Sequence, residues 1–222
     1  MIQGVLFDLF ETLVTESHAS IQRASSLASR LGVNEDAYRR LWRSRRPDVM
    51  LGRATFREAL AHIARTLGVS PDESLLDDIR SERMRQKAAV LGDVQPDVLA
   101  TMEALRARGL RLALVTNSLA EDVAAWDRSP LRPFFDVALF SCVAGLAKPD
   151  PQVYLLACRE LDLLPPHTLF IGDGGDDELA GALRAGVQAR QALWFSRTPG
   201  QRREHALRHP SDVVRAASPQ LE

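Results

Sequence analysis

Val5-Leu6-Phe7-Asp8-Leu9-Phe10-Glu11-Thr12-Leu13 opens the chain with an apolar run that stops at a carboxylate. Later stretches repeat the arrangement. Leu112-Ala113-Leu114-Val115 runs into Thr116-Asn117, and Leu169-Phe170-Ile171-Gly172 runs into Asp173, with Asp176, Asp177 and Glu178 just behind. A lone lysine, Lys148, sits in Ala147-Lys148-Pro149-Asp150. Apolar runs of this length between helical stretches read as buried parallel strands. Ligands of open parallel sheets bind at the carboxyl ends of the strands. Asp8, Thr116 and Asp173 each take the first polar position after such a run, so the sequence predicts that they converge on one rim.

The chemistry available at that rim follows from the residue types. A carboxylate at position 8 is suited to act as a nucleophile, forming a covalent ester that water later hydrolyses. Asp173 and Asp177 supply oxygen ligands of the kind Mg²⁺ takes. Thr116 and Lys148 supply a hydroxyl and an ammonium that stabilise charge on a transferring group. Each residue alone fits a helix cap, a strand end or a solvated surface position equally well. The order of all four along the chain is what carries weight.

With these residues in place, the chain resembles the haloacid dehalogenase (HAD) superfamily of hydrolases. Phe7-Asp8-Leu9-Phe10-Glu11-Thr12-Leu13 looks like motif one, Val115-Thr116-Asn117-Ser118 like motif two, and Lys148-Pro149-Asp150-Pro151 like motif three. Gly172-Asp173-Gly174-Gly175-Asp176-Asp177 looks like motif four. The separations fit as well, 32 residues from Thr116 to Lys148 and 25 from there to Asp173. The resemblance implies a Rossmann-like α/β core with a parallel sheet and an inserted helical cap. It implies Asp8, Thr116 and Lys148 as catalytic, Thr12 and Asn117 as substrate-binding, and Mg²⁺ held by Asp8, the Phe10 carbonyl, Asp173 and Asp177.

One position departs from the phosphatases of this superfamily. They carry a second Asp two residues after the nucleophile, which protonates the leaving oxygen, and here that position is Phe10. An aromatic residue there resembles the 2-haloacid dehalogenases, whose halide leaves without a proton. Those enzymes are metal-free and generally lack the first Asp of motif four, which this chain keeps as Asp173. Loss of the acid would cost roughly 10²–10⁴ in rate. Glu11, Glu16 and His18 follow the first strand and are candidate replacements.

After Leu13-Val14 the strand pattern disappears until about residue 92. Four helices are expected near 19–31, 35–46, 56–67 and 71–88, forming a cap over 15–90 between core segments 1–14 and 91–222. Thr55 to Glu58 and Ser70 to Glu73 match capping boxes, and Gly32 and Gly68 suit helix ends. Leu60, Ile63 and Leu67 recur at helical spacing and are expected inside the bundle. Further helices are expected at 96–108, 119–128 (opened by a capping box at Ser118 to Glu121), 151–161 and 176–184. Strands are expected at 135–141 and 191–195, and a loop or short helix at 197–209. Arg45, Arg46 and Arg53 on the cap side are candidate anion contacts, Arg53 being assigned to substrate. His205 and His209 lie four apart on a stretch without carboxylates, which reads as surface.

Composition narrows the partners. At 222 residues the chain can bury a sizeable core. A net charge of −1 offers no field to recruit nucleic acid or an anionic membrane. All but two of its 28 basic residues are arginine, the lysines being Lys87 and Lys148. Cys142 and Cys158 have no metal-ligand spacing and read as buried free thiols in a cytoplasmic protein. No run approaches the ~18 apolar residues of a membrane span, and no secretory signal fits before the first strand. The expected partner is a small-molecule substrate, with the chain a monomer or homodimer.

Three functional classes follow: an Mg²⁺-dependent phosphatase of a small phosphorylated metabolite, favoured by Asp173 and Asp177; a carbon–halogen hydrolase of a 2-haloacid, favoured by Phe10; and a catalytically impaired protein that keeps the fold for binding or regulation. The phosphonoacetaldehyde hydrolase branch also lacks the second Asp but needs a cap lysine. Lys87, at the far end of the insert, ranks it low.

Overall fold

A computed structural model describes residues 1–17, 23–195 and 206–218. Its centre is a five-stranded, wholly parallel sheet of β1 (Gly4–Phe7), β2 (Arg111–Thr116), β3 (Val137–Phe140), β4 (Thr168–Gly172) and β5 (Gln188–Gln191). The order across the sheet is β3-β2-β1-β4-β5. Successive strands step outward from β1 to β3, and the chain then crosses back to β4. The point of reversal lies between β1 and β4, where Phe7 is level with Ile171 and the Asp8 amide donates to the Ile171 carbonyl at 2.9 Å. This doubly wound arrangement is the α/β, Rossmann-like class the sequence predicts.

Alternation along the strands buries both sheet faces, as parallel sheets require. Val5, Phe7, Leu112, Leu114, Leu169 and Ile171 join one hydrophobic cluster with residues of α5 (Pro96–Ala107) and α10 (Asp212–Ala216). Leu6, Ala113, Val115 and Phe170 join another with residues of α8 (Pro151–Glu160) and α9 (Glu178–Arg184). The β5 strand was expected at 191–195 and lies at 188–191. Gln188-Ala189-Arg190-Gln191 is an edge strand with little apolar surface to betray it, while Trp194 and Phe195 pack on the core beyond its end.

Between β1 and α5 lie α1 (Ala24–Arg30), α2 (Glu35–Met50), α3 (Phe56–Thr66) and α4 (Glu73–Gly92). Leu27, Tyr38, Phe56, Leu60, Ile63, Leu76 and Ile79 form their common core, joined by Leu119 from the loop after β2. Thr55 and Glu58 close the expected capping box. Ser70 does not cap α4; Asp72 does, accepting the Ser74 amide at 2.8 Å. The helix α2 runs four residues past its expected end, through Pro47. The turn after it packs tightly: Gly52 has φ +70°, and a Cβ there would lie 2.1 Å from the Cys142 carbonyl oxygen.

Two other short elements differ from expectation. The helix expected at 119–128 is only α6 (Ala120–Val123), followed by a 3-10 turn at Trp126–Arg128. Its start is capped by Asp122, which accepts the Leu119 amide at 3.1 Å, while Glu121 pairs with Arg80 at 2.9 Å. A one-turn helix, α7 (Ser141–Ala144), was not anticipated.

Candidate active site

Asp8, Thr116 and Asp173 stand where β1, β2 and β4 end, on one rim of the sheet. All three line a cavity of about 430 Å³, together with Asn117, Lys148 and Glu178. The opposite wall comes from α2, α3 and α4, including Tyr38, Trp42, Phe56, Arg83 and Lys87.

Lys148 is the hub. Its ammonium is 3% exposed and donates to Asp8 Oδ1 and, at 2.5 Å, to Glu178 Oε2. It also lies 5.5 Å from the centroid of the Phe170 ring. Asn117 holds the lysine's backbone from both sides: its Nδ2 donates to the Lys148 carbonyl and its Oδ1 accepts the Lys148 amide, both at 2.8 Å. A residue of motif two thus fixes a residue of motif three.

The sequence pattern assigns no role to Glu178, and the structure brings it inside. Its Oε1 accepts the Gly174 amide at 2.9 Å. A Cβ on Gly172 would stand 2.1 Å from that same oxygen, so glycine at the end of β4 leaves the space the carboxylate fills. Asp176 and Asp177 have φ of +49° and +55°, so the helix starts at Glu178 and not at the expected residue 176. Asp and Asn tolerate this left-handed region better than most residues. Asp177 is thereby turned outward, its carboxylate 71% exposed and 3.6 Å from Arg184. The sequence held a signal for this. Glu178, Ala182 and Ala185 follow helical spacing along the buried face of α9, which leaves Asp177 off that face.

Carboxylate oxygens of Asp8, Asp173 and Glu178 all lie within 4.8 Å of one another. Three carboxylates against one ammonium leave two negative charges in a largely buried site, which is costly without a counter-ion. The titration behaviour follows. Burial pushes the Asp8 carboxyl up, against the pull of Lys148, and Asp173 adds to the rise. Burial likewise raises Glu178 to about 7, with Lys148 opposing. Burial works against the Lys148 ammonium, but Asp8 and Glu178 outweigh it and hold the amine above its ordinary value. The lysine stays charged and the carboxylates compete for protons. A divalent cation would bring the cluster to neutrality, and hard oxygen donors are the donor set Mg²⁺ takes.

The remaining sequence candidates are placed unevenly. Phe10 lines the cavity, with the Lys87 ammonium 4.1 Å from its ring centroid. Glu16 pairs with Lys87, and Glu11 accepts hydrogen bonds from the Thr15 hydroxyl and the Glu16 amide. Both glutamates line the cavity. His18 and His205 fall outside the described residues. Thr12 is fully buried and does not line the cavity; its carbonyl accepts from Trp194 Nε1 at 2.8 Å. Arg53 also stays off the cavity, 66% exposed and 3.7 Å from Asp48. Arg45 contacts His62 at 2.7 Å, whereas Arg46 reaches the cavity 4.0 Å from Asp176. Lys87, remote from motif one along the chain, is 5% exposed and lines the cavity. The far end of the insert folds back over motif one, which linear distance conceals.

A family model for haloacid dehalogenase-like hydrolases matches residues 2–186. The chain is 33% identical to the phosphoglycolate phosphatase of Salmonella typhimurium, over 79% of this chain and 75% of that protein. It is 29% identical to the glyceraldehyde 3-phosphate phosphatase of Methanopyrus kandleri, over 84% of this chain and 82% of that one. Among solved structures, the 2-haloacid dehalogenase from Pseudomonas syringae pv. Tomato DC3000 superposes with a TM-score of 0.70 at 26% identity, covering 97% of this chain and 99% of that one.

Proposed function

The chain belongs to the haloacid dehalogenase-like hydrolase family, and from that premise we propose that it is an Mg²⁺-dependent phosphatase of a small phosphorylated metabolite. The observation that carries this reading is the cluster of Asp8, Asp173 and Glu178 around a single ammonium. Hydrolysis of a carbon–halogen bond has no use for a cluster that, nucleophile included, keeps two uncompensated negative charges. Phosphate-ester hydrolysis does, because a cation held there would supply charge stabilisation to the substrate's phosphate. The relatives named as phosphatases act on small phosphate esters by name, which supports the substrate class.

In this reading Asp8 attacks phosphorus, the ester bond breaks, and the leaving oxygen takes the bonding electrons and then a proton from solvent water. Water then attacks phosphorus of the aspartyl phosphate and returns the free carboxylate. Lys148 holds Asp8 in place and Asn117 holds Lys148. Thr116, at the end of β2, faces the same cavity. Asp8, Asp173 and Glu178 would hold the Mg²⁺, which would supply electrostatic stabilisation of the transferring phosphoryl oxygens. With phenylalanine at position 10, no carboxyl from motif one meets the leaving oxygen. Turnover is therefore expected to fall steeply as the leaving group becomes more basic.

A second reading, dehalogenation of a 2-haloacid, draws on the same Phe10 ring and on the solved dehalogenase that this chain resembles. Product release from a panel of phosphate monoesters and 2-haloacids, with Mg²⁺ and with EDTA, separates the two. Phosphate release that EDTA abolishes supports the phosphatase; halide release indifferent to EDTA replaces it.

A further inference from the structure

The wall of the cavity opposite Asp8 contains polar groups that the proposed phosphoryl chemistry does not use. Tyr38, on α2, is 1% exposed, and its hydroxyl is buried without a hydrogen-bond partner among the described residues. Arg83, on α4, is fixed in place by two contacts. Its guanidinium carbon lies 5.1 Å from the centroid of the Phe56 ring, and its Nη2 lies 2.7 Å from Asp122 Oδ1. Its Nε is nevertheless buried and has no hydrogen-bond partner among the described residues. Both residues line the cavity that holds Asp8. Buried polar groups normally have partners, and each exception asks for an explanation. Two buried donors, with Asp122 Oδ1 beside them also without a hydrogen bond among the described residues, belong to residues that line one cavity and point to an oxygen that arrives with a ligand.

The charges on this wall say what kind of acceptor. Arg83 is matched by Asp122, and Lys87 by Glu16, with Asp122 a further 3.7 Å contact of the lysine. Arg46, the third cation lining the cavity, lies 4.0 Å from Asp176, so three cations meet three carboxylates. An anionic group would enter without a counter-charge of its own, at a desolvation cost. An oxygen without charge takes the same two hydrogen bonds and brings no such penalty. Burial pushes the Tyr38 phenol up, and Arg83 offsets this only in part, so the hydroxyl keeps its proton and donates. Leu27, Trp42 and Met50 give the rest of this wall an apolar surface, and the volume suits a small metabolite.

We propose that Tyr38 and Arg83 form a recognition site for an uncharged, oxygen-bearing tail, a hydroxyl or carbonyl, on a short phosphate ester whose phosphate sits at Asp8. This rests on the phosphatase reading and narrows it. The residues are specificity determinants, acting on the tail and not on the reacting atoms.

The test measures kcat/KM with Mg²⁺ for glycerol 1-phosphate, phosphoglycolate and phenyl phosphate. These carry a hydroxyl tail, a carboxylate tail and a tail without oxygen. The unsubstituted protein is expected to prefer glycerol 1-phosphate over phosphoglycolate by about tenfold or more. Tyr38→Phe removes one oxygen, and Arg83→Lys keeps the charge facing Asp122 while removing the Nε donor. Tyr38→Phe is expected to lower the ratio of kcat/KM for glycerol 1-phosphate over phenyl phosphate by about three- to tenfold, the usual worth of one neutral hydrogen bond, and Arg83→Lys by about tenfold or more, because its donor is charged. The loss should fall mainly in KM. A preference for phosphoglycolate, or variants that lower all three substrates equally, overturns the proposal. An unsubstituted protein that releases no phosphate even from phenyl phosphate overturns the phosphatase reading, and the tail site with it.

Discussion

Glu178→Gln offers a quantitative test of the charge cluster, because it removes one carboxylate while keeping the shape of the side chain. Glu178 is 2% exposed and titrates near 7, against 4.5 for an ordinary glutamate. The folded value lies above that of the unfolded chain, so between the two values the folded protein binds the extra proton. The associated stability is fully present below about 4.5 and is lost as pH rises through about 7. A rise of that size corresponds to roughly 3 kcal/mol. Urea unfolding in EDTA, at several pH values from 4.5 to 8.5, should therefore show the unsubstituted protein losing roughly 3 kcal/mol relative to Glu178→Gln across the range. Saturating Mg²⁺ at pH 8 should reverse much of that loss in the unsubstituted protein and less of it in the variant, because the cation supplies the missing charge. Parallel stability curves for the two proteins, within about 0.5 kcal/mol, would refute the argument that uncompensated charge collects on this residue.

Lys148→Met removes the one ammonium shared by Asp8 and Glu178. Breaking a buried ion pair on one side costs about 3–5 kcal/mol, so the urea midpoint at pH 7.5 should drop sharply, and by less at pH 5 where the carboxylates take up protons. Asp173→Ala should weaken Mg²⁺ binding at least tenfold by calorimetry; an unchanged affinity would place the ion elsewhere. Phe10→Asp puts a carboxyl beneath the Lys87 ammonium, which lies 4.1 Å from the present ring centroid. Turnover of alkyl phosphates should rise about tenfold, below the ~10²–10⁴ ceiling of acid–base catalysis. If the chain is instead a dehalogenase, the same substitution should lower halide release.

The strands that carry Asp8, Thr116 and Asp173 are legible because each is an apolar run ending in a polar residue, and their parallel pairing follows from the helical stretches between them. The edge strand Gln188–Gln191 is not legible, since only its hydrogen bonds to β4 make it a strand. Asp177 illustrates a different limit. Spacing alone makes it a partner of Asp173, but left-handed backbone at Asp176 and Asp177 turns it to solvent and presents Glu178. Backbone sign is not written in a run of acidic residues, although the buried face of α9 is. Lys87 and Arg83 escape sequence reading for a third reason. They lie more than seventy residues from Asp8 along the chain and reach its cavity only because α4 packs back across the rim. Arg53, nearer in sequence to the other cap-side arginines, stays outside with Asp48.

The central claim is that Asp8 is the nucleophile of a metal-dependent phosphate-ester hydrolysis. Phosphate release from phenyl phosphate by the unsubstituted protein and by Asp8→Asn, each with Mg²⁺ and with EDTA, tests it most directly. The amide is nearly isosteric with the carboxylate but cannot form the covalent ester. The account predicts Mg²⁺-dependent release by the unsubstituted protein and none by the variant, with the same circular dichroism spectrum for both. Release by Asp8→Asn above a few per cent of the unsubstituted rate, or release unaffected by EDTA, would contradict it.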